Sequence, residues 1–486
     1  MRTLEKIIGK KKPCWMDVAN FQARCNFDFP FFAENVLGIN EPIELGSFHK
    51  KAMKVVELSS NRFILIIFPR GHLKTTIFSE AYPIWRLWRE RNIEIAVTSS
   101  ALEQSQRIIM KTQDRIEDNE FLKELVPKSR KFTWNKSFLN TNNRNQYYMK
   151  PFNDTSRGTH VDYLILDDIL RSENITQEQI KEIFWSIFFP TTQTRRGQMI
   201  IVGTPMTYDD LFRQIENPDE GVKKVLKEFE FKIIRESAVI INKNGVWLRP
   251  LWKERFSLDE LKSFKAVMGS LRFSREYLCK PLGTGYSIFK GDLFQPITEG
   301  GIIHSDKELN EPEGGWTYYL GWDSAFETGK KADYLVYSII GEKGNILKQV
   351  RQERYKGWDI PKQIKRAEEL ETIFNFKGMC LEKTGSVGLF KEAQKNPRLK
   401  TKLIGFDAQH HKEDLISHLQ AKCETKTLWI LNNPILIDEM QSFGIKESRG
   451  KYKIVGLGKH DDTVIALGLA LESAMSKVGR ASFSYV

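Results

Sequence analysis

Two sets of residues, far apart on the chain, are of the types that handle phosphate. The first is Pro69-Arg70-Gly71-His72-Leu73-Lys74-Thr75-Thr76, followed much later by Leu164-Ile165-Leu166-Asp167-Asp168. A lysine and a hydroxyl where a strand run gives way to a helical one can meet the β/γ oxygens of ATP and its Mg²⁺, while loop N–H groups curl round the phosphates. An apolar run ending in two aspartates delivers Asp167 to Mg²⁺ and sets Asp168 where it polarises the attacking water. Ile201-Val202-Gly203-Thr204-Pro205 is a further strand run, ending in a Thr204 hydroxyl suited to sensing a γ-phosphate. The loop departs from GxxxxGK[ST], with Phe68 and Leu73 at the glycine positions. On the loop alone, a Lys-Thr helix start without a ligand is the plainer reading; the paired aspartates and Thr204 shift it toward a nucleotide site.

The second set is Asp323 after Leu320-Gly321-Trp322, Glu382 after Cys380-Leu381, and His460-Asp461-Asp462. Two-metal phosphodiester hydrolysis needs carboxylates from separate segments converging on ions about 3.5–4 Å apart, and Mg²⁺ takes oxygen ligands; Mn²⁺ is expected to substitute. Singly, each acid reads as a solvated side chain or a cap, and Asp461 in particular as a cap on the last helix. As a set they read as metal ligands, with Asp462 preferred as the third and Asp461 next. Asp333 fits either the rim of such a site or a hairpin turn, and His460 either a water-orienting role or the surface.

The elements that must position these groups alternate. Strand runs at Phe63 to Phe68, Ile93 to Thr98, Tyr163 to Leu166 and Met199 to Val202, separated by helical patterns after Lys74 and at Ala101 to Glu117, predict an α/β fold with a parallel sheet. The stretch 281–315, rich in Gly and Pro, reads as a linker. Beyond it, Trp316 to Trp322, Tyr334 to Gly341 and Ile346 to Tyr355 read as three antiparallel strands. The helix Ile360 to Phe374, a strand at Gly378 to Leu381, a helix from near Lys412 and a last helix from Asp461 to about Met475 follow. Gln441 to Val455 reads as a hairpin able to gate a cleft. The expected organisation is a helical lead-in over 1–60, a P-loop ATPase over 61–280, the linker, and a mixed-sheet nuclease over 316–486.

A chain of 486 residues is too long for one ordinary core. Its net charge of +12 and pI near 9.2 favour a polyanionic partner. Five scattered cysteines show no zinc spacing and fit reduced thiols. The first residues lack the apolar run of a signal peptide, and no stretch approaches the ~18 apolar residues of a membrane span. A soluble intracellular protein is expected. Lys330, Lys331, Lys383, Lys412, Lys451, Lys453 and Lys459 are candidates for contacts along a DNA backbone.

In the order and spacing of these motifs, the sequence resembles the large terminase subunits of tailed bacteriophages from roughly residue 45 to 486. The early Arg70 of the loop, Ser156-Arg157-Gly158, Gly203-Thr204-Pro205-Met206, Leu251-Trp252-Lys253-Glu254-Arg255-Phe256-Ser257 and Phe273-Ser274-Arg275-Glu276-Tyr277 carry it. The resemblance implies an RNase H-like C-terminal nuclease and an N-terminal motor that drives double-stranded DNA into a procapsid through a portal protein. It also implies a small terminase partner and a homo-oligomeric ring when packaging, in the host cytoplasm. Residues Arg70 to Thr76 with Asp167 would bind MgATP, Asp168 would activate water, and Thr204 would couple hydrolysis to movement. Arg157 would be the arginine finger offered to a neighbouring subunit, with Arg70 as the alternative in cis. Asp168 departs from the more usual Glu, and Leu73 from the last loop Gly. Two other readings stand beside this one: an ATP-regulated recombination or repair nuclease, and a translocase whose C-terminal domain only binds DNA.

Overall fold

The structure, a computed structural model, describes residues 17–476 apart from 40, 42–43, 130, 159, 172–174, 193–196, 208–209, 219–220, 224–228, 244, 282–286, 327–332, 449–450 and 458–459. It forms two compact units. The first is drawn mainly from the chain up to Leu261 together with Ser274–Leu282, the second from Lys262–Phe273 and most of the chain from Gly283 on. Among the described residues no helix is long and apolar enough to cross a membrane.

In the first unit, eight strands form one sheet: β1 (Phe63–Ile67), β2 (Glu94–Ser99), β3 (Trp134–Asn135), β4 (Phe138–Asn140), β5 (Gln146–Met149), β6 (Tyr163–Asp167), β7 (Gln198–Gly203) and β8 (Phe231–Arg235), in the order β3-β4-β5-β2-β6-β7-β1-β8. From β5 to β8 every pair is parallel, and only the β3-β4-β5 edge is antiparallel. Continuous apolar runs such as Phe63-Ile64-Leu65-Ile66-Ile67 suit this arrangement, because helices cover both faces of such a sheet and every position is buried. The register sets Ile67 beside Gly203, and Asp167 beside Val202. The ends of β1, β6 and β7 therefore share one edge of the sheet, the carboxyl edge where ligands of open α/β sheets bind. Helices Val18–Phe27, Phe29–Asn35 and Ser47–Glu57 precede β1. A pair of short strands, β9 (Val239–Ile241) and β10 (Trp247–Pro250), follows β8.

The second unit holds a seven-stranded mixed sheet of β11 (Ile303–Ser305), β12 (Thr317–Asp323), β13 (Leu335–Lys343), β14 (Ile346–Tyr355), β15 (Gly378–Glu382), β16 (Leu403–Phe406) and β17 (Leu428–Leu431), in the order β11-β17-β14-β13-β12-β15-β16. The β12-β13-β14 meander is antiparallel, as its sequence pattern predicts. The described part of 281–315, which reads as a linker, supplies edge strand β11 and two short 3₁₀ turns. The helix expected near Lys412 begins at Ala408, and the last helix runs Asp462–Met475. Phe443–Ser448 and Lys451–Gly456 form a two-stranded ribbon, β18 and β19, where a hairpin was expected; its Gly450 lies outside the described residues.

Alternation along β12 decides where its acid goes. Tyr318, Leu320 and Trp322 enter a core with Ala367, Leu370 and Phe374 of the helix Ile360–Phe374. Gly321 and Asp323 consequently share the opposite face, where the almost wholly buried helix Asp462–Met475 lies. That helix sits so close that a Cβ on Gly321 would come 2.0 Å from the Ala466 carbonyl oxygen and 2.3 Å from the Ala470 nitrogen. A Gly321→Ala substitution must push the helix off the sheet. We expect a loss of roughly 1–3 kcal/mol or more in urea denaturation, with Asp462 displaced because it rides on that helix.

Candidate nucleotide and metal sites

The loop after β1 is braced from behind. Gly71 has φ +74 and a Cβ there would meet the Phe256 ring at 3.3 Å. The His72 ring stacks on Phe256 at 5.0 Å. Its Nδ1 donates to the Arg70 carbonyl at 2.9 Å, while His49 Nε2 donates to the His72 carbonyl at 3.1 Å and His49 Nδ1 accepts from Gly46 N–H at 3.1 Å. Burial pushes His49 down to about 3 and His72 down to about 4, so both rings are neutral and fixed in one tautomer. His72 thus serves the loop as a buried brace. Leu73 takes φ 55, the left-handed conformation that a glycine would hold without strain.

Where the loop becomes a helix, Thr75 Oγ1 donates to Asp167 Oδ1 at 3.1 Å, and Ser79 Oγ donates to Asp167 Oδ2. The segment Thr76–Ala81 is π-helical and carries Ser79 inward. Asp167 is fully buried, and burial, then the neighbouring Asp168 charge, pushes its carboxyl up to about 7 against the pull of Ser79, Lys74 and Thr75. Lys74 Nζ lies 3.9 Å from Asp168 Oδ2. Asp168, at φ 49, donates its N–H to Val202 O at 2.9 Å, and Thr204 Oγ1 donates to Phe68 O at 3.4 Å. Lys74, Thr75, Asp167, Asp168 and Thr204 are therefore brought to one sheet edge. Thr75 and Asp167 offer the oxygen donors that fit Mg²⁺. Arg157 is exposed just after the turn Asp154–Ser156 and makes no ion pair among the described residues. Ser79 escaped the sequence reading; its position four residues after Thr75 is the signal that could have found it.

In the second unit, the register that pairs Trp322 with Leu381 sets Asp323 and Glu382 at neighbouring strand ends. With Asp461, Asp462, Asp333, Ser324, Thr384 and Lys412 they line a cavity of about 460 Å³. Burial, then the charges of Glu382 and Asp462, raises Asp323 well above the usual carboxylate range, and it shares a hydrogen bond with Glu382, itself raised by burial. Burial also pushes Asp462 up to about 7, with Asp333, Glu439 and Asp461 adding to it, against a 3.0 Å hydrogen bond from Tyr334 N–H. A cluster that resists holding its charges unaided is what divalent ions with oxygen preference relieve, so the donor set fits Mg²⁺.

Asp461 stands at the N-cap position of the last helix. Its carboxylate makes no cap hydrogen bond; it pairs with Lys412 Nζ at 2.8 Å and accepts from Gly456 N–H at 3.3 Å. The end of the helix is served instead by Glu439, a buried residue of the helix Pro434–Gln441. Glu439 Oε2 accepts from Thr463 N–H at 2.8 Å and from Thr463 Oγ1, and its Oε1 meets Arg354 at 3.4 Å. No sequence signal points to it, since its partners lie on other elements. Glu439→Gln is expected to loosen Asp462 and weaken Mn²⁺ binding roughly tenfold, read by calorimetric titration. Asp333, His460 and Asp462 place one ligand atom each within 4.8 Å of one another, with His460 Nδ1 3.7 Å from both carboxylates. Lys330, Lys331 and Lys459 lie outside the described residues.

No protein-family model matches the sequence, and no curated protein does. The fold is that of phage large terminases. The large terminase of a thermophilic bacteriophage superposes with a TM-score of 0.58 at 13% identity, over 89% of this chain and 99% of that one. The same terminase in complex with ADP gives 0.57 at 13%, over 87% and 98%. In complex with ATP-gamma-S it gives 0.55 at 13%, again over 87% and 98%.

Proposed function

We propose that this chain is a large terminase: an ATPase that drives double-stranded viral DNA into a procapsid, and an endonuclease that cuts the concatemer. The observation that carries the reading is the presence, on one terminase-like fold, of both the Lys74–Thr75 and Asp167–Asp168 edge and the Asp323, Glu382, Asp462 cavity. The nucleotide complexes of the thermophilic-phage terminase support ATP as the fuel.

In the first unit, residues Arg70 to Thr76 cradle the phosphates and Lys74 meets their terminal oxygens. Thr75 and Asp167 hold Mg²⁺, Asp168 orients the attacking water, and Thr204 reports hydrolysis through its contact with Phe68 at the loop's start. In the second, Asp323, Glu382 and Asp462 hold a pair of ions, with Asp461 at the edge, and Lys412 steadies Asp461. Bound Mg²⁺, or Mn²⁺ in its place at the nuclease site, supplies Lewis-acid charge for the developing oxyanion at each centre. Arg157, exposed and without an ion pair among the described residues, is suited to reaching a neighbouring subunit's nucleotide in a ring. The ATPase is the first unit and the nuclease the second, whose sheet takes β11 from the stretch 281–315. Portal, procapsid and small terminase are the partners, met in the host cytoplasm.

The test is a packaging assay with procapsids beside a plasmid-cutting assay in Mg²⁺ and in Mn²⁺. Lys74→Ala should lose packaging and keep cutting; Asp323→Ala should lose cutting. Packaging that survives the first change sinks the motor, and cutting that survives the second sinks the nuclease site.

A further inference from the structure

The motif Phe273-Ser274-Arg275-Glu276-Tyr277 has no task in the function above, yet the structure sets its glutamate against the phosphate loop. Glu276 is 2% exposed. Its carbonyl accepts the Arg70 N–H at 2.9 Å, fixing the loop's first turn. Its carboxylate Oε1 takes Arg171 Nη2 and, at 3.4 Å, Arg275 Nε, while Oε2 is buried with no hydrogen-bond partner among the described residues. Burial works against its charge, but Arg171, then Arg275, Arg70 and Lys74, outweigh that and hold its carboxyl below the usual range. One buried carboxylate thus pairs with two arginines and feels the charges of Arg70 and Lys74 on the phosphate loop.

Arg171 is the cation best able to leave. Its side chain is 39% exposed, against 16% for Arg275, and it follows Asp168 by three residues on the same loop. We propose that Glu276 and the terminal phosphate of a nucleoside triphosphate compete for Arg171, so that Arg171 is a γ-phosphate contact in cis and Glu276 is the positioning residue that sets the preference for ATP over ADP. The proposal rests on the nucleotide-site reading. Arginine forms charge-assisted, paired hydrogen bonds with carboxylate and phosphate alike, so exchange between the two is chemically even. A purely structural Glu276 would act in the opposite sense, since its loss would loosen the loop and weaken every nucleotide.

The experiment is calorimetric titration of the full chain with Mg²⁺-ATP-gamma-S and with Mg²⁺-ADP, with thermal unfolding followed in parallel. Glu276→Gln should bind the triphosphate analogue roughly tenfold more tightly, with a smaller change for ADP. Arg171→Gln, which leaves Glu276 its Arg275 partner, should weaken the analogue by a similar factor and leave ADP nearly unchanged. In the double variant the tightening should vanish. Weaker or unchanged binding of the analogue by a folded Glu276→Gln overturns the proposal. If that variant does not fold, an unaltered preference in Arg171→Gln overturns it equally. A wild-type chain that binds neither nucleotide overturns the site itself, and this inference with it.

Discussion

Replacing Asp323 with Asn should abolish DNA cutting and, in the absence of metal, make the protein more stable at neutral pH. Both effects have one cause. Asp323, Glu382 and Asp462 are gathered with little solvent, and each carboxyl is raised, Asp462 to about 7. In the unfolded chain such groups titrate near 4. Between about pH 4 and pH 7 the folded protein therefore binds more protons than the unfolded one, and its stability falls as pH rises through that window. Below pH 4 the groups are neutral in both states and the penalty is absent. Asparagine at 323 keeps the size, donates to the Glu382 carboxylate where a protonated Asp323 does so, and takes the most strongly raised carboxyl out of the cluster. A gain of roughly 1–3 kcal/mol at pH 8 in EDTA follows, shrinking toward zero near pH 4. Mg²⁺ should reverse the order, stabilising the wild type much more than the variant. Cutting should drop by several orders of magnitude because a ligand shared by the site is gone. A variant less stable than wild type in EDTA at pH 8 would show that Asp323 is held by its neighbours and not repelled by them.

Why the acids were legible, and their neighbours were not, comes down to how each is positioned. Asp323 and Glu382 end apolar runs whose strand character and alternation can be read directly, so their common face follows from Gly321 and Trp322 pointing opposite ways. Asp461 and Asp462 are adjacent at a helix start, where one residue turns the side chain by about 100°; only the packed helix reveals that Asp461 goes to Lys412 and Asp462 to Tyr334. Glu439 acts through elements remote in sequence, while Ser79 is marked only by its place four residues after Thr75, one helical turn along. The left-handed Leu73 is a further case: sequence shows that glycine is missing, while the loop conformation is kept and the strain carried by braces at His72 and Phe256.

Lys74→Ala is the second large effect, and it should be confined to the first unit. Lys74 stands 3.9 Å from Asp168 and is one of the groups that hold the Asp167 carboxyl down. Removing it deletes the cation aimed at the phosphate oxygens and leaves two neighbouring aspartates less compensated. ATP hydrolysis should fall at least about a hundredfold, the scale of losing one preorganised charge stabiliser. The Asp167 carboxyl, already at about 7, should rise further. A proton then occupies the Mg²⁺ ligand over more of the neutral range, so Mg²⁺-nucleotide binding by the variant should improve more steeply from about pH 6.5 to about pH 8.5 than in the wild type. Lys74→Arg should not restore turnover, because a broad planar guanidinium cannot replace a compact ammonium at this loop. Plasmid cutting should be unchanged in both variants, since the Asp323, Glu382 and Asp462 cavity takes no residue from this loop. Hydrolysis within about tenfold of wild type, measured by phosphate release, would remove Lys74 from the chemistry and leave the loop as a helix start with no ligand.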